Sequence, residues 1–139
     1  MEQKNDFFIQ TTLTPEQARV VIHALDLLSR LHCGQFREIG WLFRSQIKEH
    51  DLVDRLLAEL KQECHPGLKP THSYGIAECP TESARIAWDI LQVVRKAEAY
   101  SQHPEGGLGM RYSDPMFISD SRPRPTAKIA TILDRLAGI

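Results

Sequence analysis

The chain has 139 residues and a mass of 15.8 kDa, with 42% apolar and 25% charged residues and a net charge of −1. This is ordinary globular composition, which excludes a disordered tail, a collagen-like fibre and a membrane protein with a span of roughly 20 apolar residues. A folded surface of roughly 7,300 Å² is expected for this mass against roughly 22,900 Å² for the extended chain, enough burial for one core without a staple.

In chain order, Asp6–Leu13 is rich in aromatic and β-branched residues and reads as a short strand. Thr14, Pro15 and Gln17 form an N-terminal capping box, and the helix they open runs to about Cys33 with Gly34 as its stop. Val20, Val21, Ile22, Ala24, Leu25, Leu27, Leu28 and Leu31 make that helix apolar over most of its circumference. Such a helix is central in the fold or buried in an oligomer. A second helix covers Phe36 to about Arg44, with Phe36, Ile39 and Phe43 on one side and Trp41 off it. A third, near Asp51–Glu63, is one-sided and amphipathic and ends at His65-Pro66-Gly67.

Residues 65–80 form a Pro/Gly-rich loop with a short extended piece at Ser73–Ile76. Thr81 caps a long helix, Glu82 to Gln102, whose core stripe is Ile86, Ile90, Val93, Val94 and Ala97. After the glycine turn at 104–109, Met110–Tyr112 and Met116–Ile118 read as two short strands around Asp114-Pro115. Arg122-Pro123-Arg124-Pro125 is a connector, and Thr126 caps a last helix bearing Ile129, Ile132, Leu133 and Leu136. A strand at Ala127–Ile132 is the alternative there. The fold class is therefore α+β, mostly α: one domain over 1–139, with four to five helices and a small antiparallel sheet from the N-terminal segment and the 108–118 region.

No motif names a reaction. His32, Cys33, Cys64, His65, His72 and Cys79 lack zinc-ligand spacing, so no metal is expected. Cys79 precedes a helix start, where a dipole lowers a thiol pKa, but no base accompanies it in any motif. The glycines at 106, 107 and 109 follow a helix rather than a strand and are not a phosphate loop, and no cofactor is expected. Neither half is basic enough for a nucleic-acid polymer. A polar N-terminus and an odd count of three cysteines point to a reducing cytoplasm.

Arg outnumbers Lys by 11 to 6. Arg85, Trp88, Gln92 and Arg95 share one helix side, a set that suits a ligand with a flat ring and an anionic group. Tyr74 and His72 in the loop, with Arg111 and Tyr112 after the turn, complete a candidate ligand site. The same face also reads as a solvated surface in which Arg85 pairs with Asp89, or as a partner-binding face.

Two stretches carry a resemblance. They are Ala24–Arg30 continued by Gly34–Ile39, and Ser73–Ile76 followed by Ser83–Asp89 and Gln92–Arg95. Together they resemble short uncharacterised proteins of tailed bacteriophages and prophages, over about residues 12–125. The resemblance implies, by analogy of size and context, an anti-defence sponge of the Thoeris anti-defence kind that sequesters a nucleotide-derived immune signal. The leading expectation is thus a non-enzymatic, homo-oligomeric binding protein, a dimer by the frequency of closed twofold symmetry. The alternatives are a protein-binding inhibitor and, with least support, a cysteine- or histidine-dependent enzyme.

Overall fold

The computed structural model describes residues 7–138. Among them five α-helices follow one another: α1 (Pro15–His32), α2 (Arg37–Leu42), α3 (His50–Cys64), α4 (Glu82–Gln102) and α5 (Ile132–Leu136). Single 3₁₀ turns stand at Ile76–Glu78 and Met110–Tyr112.

The ends of α1 are fixed by local chemistry. The Thr14 hydroxyl accepts from the Gln17 amide at 3.2 Å, and the Gln17 side chain accepts from the Thr14 amide at 2.9 Å. At the other end the Gly34 amide donates to Leu31 O at 3.0 Å and the Gln35 amide donates to Arg30 O at 2.9 Å. This pair of bonds is a Schellman stop, and it requires the left-handed residue that Gly34 supplies with φ +90°.

α1 and α4 form the spine. Arg19 near the start of α1 pairs with Glu98 near the end of α4 at 3.0 Å, and Ser29 Oγ donates to Ala84 O at 3.2 Å at the opposite ends. The two helices are therefore antiparallel. Ala18 and Ser29 on α1 and Ala84, Ala87, Leu91 and Ala99 on α4 are all buried. Small side chains let the helix axes approach closely, towards the short end of the usual range of about 8–10 Å. α2 and α3 pack beside the C-terminal end of α1. The loop from α3 to α4 is tied down by Lys61, whose buried ammonium donates to the carbonyls of Pro70, at 3.0 Å, and His72. Burial holds the Lys61 pKa below its ordinary 10.5.

Several expectations need correction. There is no sheet: no strand occurs among the described residues. Residues 7–13 have no ladder partner, and Asp6 lies outside the described residues. Met110–Tyr112 winds into a 3₁₀ turn instead. Met116–Ile118 is extended, but its backbone is bonded by side chains of α4 rather than by a neighbouring strand. Thr81 occupies the N-cap of α4 without a side-chain cap bond. The last helix begins at Ile132, with Thr131 and Asp134 exchanging cap bonds, and not at Thr126; residues 127–131 are neither helix nor strand. Of the expected α4 core stripe only Val93 is buried.

Among the described residues nothing encloses the outer side of α1 either. Val20 is 66% exposed, and Ala24 and Leu28 are also exposed.

A Cβ added at Gly34 would stand 2.8 Å from Leu68 Cδ1, in a backbone region costly for any other residue. Gly34→Ala is expected to lower stability by about 1–2 kcal/mol or more. Urea denaturation checks this, and an unchanged midpoint would contradict the Schellman assignment.

Candidate functional site

The polar side of α4 is occupied by the protein itself. Glu82, Asp89, Gln92 and Lys96, at spacings of seven, three and four, share one side of the helix. Along them runs the extended segment 114–120. Asp89 is only 1% exposed. Its Oδ1 accepts from the Ile118 amide at 2.9 Å, and its Oδ2 accepts from the Ser119 amide at 3.1 Å, Ser119 Oγ at 2.5 Å and the Arg124 guanidinium at 3.1 Å. The Gln92 carboxamide donates to Met116 O at 2.9 Å and accepts from the Met116 amide at 2.8 Å, imitating one rung of a β-ladder. Glu82 accepts the Asp120 amide at 2.9 Å, and Lys96 meets Asp114 at 2.6 Å. The segment is thus a strap bound to α4 much as a peptide is bound in a groove.

These contacts decide the fate of the residues expected to bind a ligand. Arg85 donates to Glu82, at 3.0 and 2.5 Å, and to the Cys79 carbonyl, so it clasps the start of α4 and does not pair with Asp89. Arg95 stands over the Trp88 ring at 5.8 Å, and its buried Nε has no acceptor among the described residues. Arg111 is exposed and lies over Tyr112 at 5.5 Å, while Tyr112 meets Tyr100 edge-on at 5.3 Å and covers Gly107. Tyr74 donates its amide to Cys33 O at 2.9 Å and packs against the buried Cys33, Cys79 and Ala84. His72 is exposed and gives its carbonyl to Lys61. Trp88 and Arg95 come together, as do Arg111 and Tyr112. Tyr74 and Arg85 share the far end of α4, and Arg85 is about 15 Å along the helix from Arg95.

Two of the three cysteines, Cys33 and Cys79, are buried, and Cys64 is exposed. Cys79 is fully buried. Burial, then the Cys79 thiol beside it, pushes the Cys33 thiol up to about 12, so it stays protonated and unreactive near neutrality. Among the described residues no group of three or more His, Cys, Asp or Glu is placed to hold a metal ion. No described helix is long and apolar enough to cross a membrane.

Open chemistry lies elsewhere, between α2 and α3. A groove of about 270 Å³ is lined by Arg37, Trp41, Arg44, His50, Val53 and Asp54. Its volume sits near the lower end of the range for small-molecule sites. Trp41 is 62% exposed, and the Arg44 guanidinium lies 4.8 Å from the centre of its ring. Among the described residues neither Arg37 nor Arg44 is ion-paired, whereas Arg19, Arg30, Arg85 and Arg124 all are. Behind Trp41 a smaller recess of about 140 Å³ is lined by His23, Leu27, Glu38 and Leu42. The sequence carried a signal for this groove. Arg37 and Arg44 stand four before and three after Trp41, which in a helix running to about Arg44, as expected from the sequence, places all three on one side, off the Phe36/Ile39/Phe43 stripe; the observed α2 ends at Leu42.

No protein-family model, no curated protein and no solved structure matches the chain.

Two outcomes test the strap. Asp89→Ala strands two amides, a hydroxyl and the Arg124 guanidinium, so it is expected to cost about 3–5 kcal/mol in urea denaturation; a loss under about 1 kcal/mol would contradict the clamp. Glu82 is held below its ordinary 4.5, first by the Arg85 hydrogen bond and then by the Asp120 amide. Its contribution to stability is therefore present above 4.5 and is lost as pH falls through the lowered value. The Asp120 amide shift should titrate with a midpoint below 4.5, and the midpoint should rise in Arg85→Ala. A midpoint that does not move with Arg85 would sink this account.

Proposed function

We propose that the protein is a non-enzymatic binding protein that takes a small anionic ligand with a flat ring, of the nucleotide type, in the α2–α3 groove. The observation that carries this reading is the exposed Trp41 flanked in one groove by two arginines without carboxylate partners. An exposed indole offers a stacking face, and guanidinium groups offer forked hydrogen bonds to phosphate. His50 lines the same groove and adds a further donor. The phage resemblance extends the proposal to capture of a nucleotide-derived immune signal in a bacterial cytoplasm. Relative to the sequence-based expectation, the ligand class is kept and the site moves from α4 to α2 and α3.

The test is calorimetric titration with mononucleotides, cyclic nucleotides and cyclic ADP-ribose isomers. A parallel fluorescence titration in a Trp88→Phe background reports Trp41 alone. Binding should quench Trp41. Each charge-assisted hydrogen bond contributes about 1.5–3 kcal/mol, so Arg37→Ala and Arg44→Ala should each weaken binding by roughly tenfold or more. Both residues are exposed, so the melting temperature should stay unchanged. Arg111→Ala, far along the chain and outside the groove, should leave affinity unaltered. No heat and no quenching with any of these ligands at high micromolar concentration would overturn the reading.

A further inference from the structure

The segment that carries the groove leaves the α1–α4 spine at one buried cysteine and returns to it at another. Cys33 is the C-cap of α1, and Cys79 stands two residues before Thr81, the N-cap of α4. Residues 34–78, which include α2 and α3, lie between them. The two side chains meet in one cluster with Ala84, packed over by Tyr74 and Ile76, and are 3% and 0% exposed. Their thiols are hydrogen-bonded to one another. Both backbones are held in place. Cys33 O accepts from the Tyr74 amide at 2.9 Å, and the Cys33 amide donates to Ser29 O at 3.1 Å. The Cys79 amide donates to Ile76 O at 3.3 Å, and its carbonyl accepts from the Arg85 guanidinium. Two sulfurs far apart in the chain are thus kept side by side where the segment joins the spine.

We infer that Cys33 and Cys79 are a redox-sensitive staple, which a low-molecular-weight disulfide oxidises to a bond that ties the groove-bearing segment to the spine. One cysteine thiolate attacks the small disulfide, forms a mixed disulfide and releases one small thiolate. The second cysteine thiolate then attacks the protein sulfur of that mixed disulfide and releases the other. Two protein thiols are oxidised, one small disulfide is reduced to two thiols, and the two cysteine protons end on the released sulfurs. Burial keeps Cys33 protonated while the loop is closed, so exchange passes through opening of the 65–80 loop, which holds Tyr74 and Ile76 over the pair. Cys64 is exposed at the end of α3, inside the stapled segment, and is not part of the pair. The bond asks for little native movement, because the sulfurs already touch. It closes a ring around residues 34–78, and a ring of that length strongly constrains the unfolded chain. This inference is independent of the ligand reading, since it concerns how the segment is fastened and not what the groove takes.

The test uses the full chain carrying Cys64→Ser, which removes the exposed thiol and leaves the pair. It is brought to equilibrium with excess glutathione disulfide in native buffer, then unfolded in acid and alkylated. Mass spectrometry should find a chain lighter by two hydrogens that takes up no alkylating reagent, and its digest should join the Cys33 peptide to the Cys79 peptide. The oxidised chain should melt roughly 10 °C or more above the reduced one, and dithiothreitol should reverse the shift. Adding Cys79→Ala should abolish the redox dependence of melting. Should that variant fail to fold, Cys33→Ala serves as the same control, and the comparison of the oxidised and reduced Cys64→Ser chain stands without either. Two alkylated cysteines at equilibrium, or a glutathione adduct that does not resolve, would overturn the inference. A Cys33–Cys79 bond that lowers the melting temperature would also overturn it, by showing that the folded chain resists the bond.

Discussion

A buried carboxylate organises this molecule. Asp89 is 1% exposed and accepts from two amides, one hydroxyl and one guanidinium, all from residues 118–124. A carboxylate in that position is tolerable only when its oxygens are saturated with donors. The requirement fixes where the strap lies, and the strap in turn covers a polar side of α4 that would otherwise face water. The helix is then committed twice: its small residues to α1, its polar row to the strap.

That double commitment explains which parts of the fold the sequence made legible. Helix boundaries were readable because their causes are local. Thr14, Gln17 and Gly34 act within a few residues of themselves, and α4 runs from Glu82 to Gln102 as its periodicity indicates. The sheet was not there because extended, β-favouring residues at 116–118 state only that the backbone is extended. They do not state what bonds to it, and Gln92 and Asp89 take the place of a neighbouring strand. The partner of the polar row of α4 was not legible for the same reason. Arg85 and Gln92 at helical spacing suit a ligand, solvent or another segment equally, and the deciding partner of Gln92 lies 24 residues away at Met116. One local cue was available: Asp89 and Gln92 are the polar residues within the otherwise apolar run Ile86–Val94, which is where an internal partner is needed.

The functional surfaces are what these commitments leave free. α4 has little left to offer a ligand, with Arg85 clasping Glu82 and Arg95 lying against Trp88. α2 is short and has no buried residue, so its Arg37 and Trp41, with Arg44 just past its end, stand in the groove beside α3. The packing of α1 on α4 buries only the Ala18/Ser29 side of α1. A helix apolar around most of its circumference then keeps a second apolar face. The groove proposed for a ligand lies between α2 and α3, apart from both commitments of α4.

The dependence of the fold on the Asp89 clamp is tested most directly by native-state hydrogen exchange at Ile118 and Ser119. Both amides lie in a segment without regular secondary structure, which would ordinarily exchange with little protection. The account predicts protection equal to that of the α4 interior amides, such as Leu91, with loss only on global unfolding. Rapid exchange at Ile118 and Ser119 while Leu91 remains protected would show the strap to be a loosely held loop and would remove the clamp from the account.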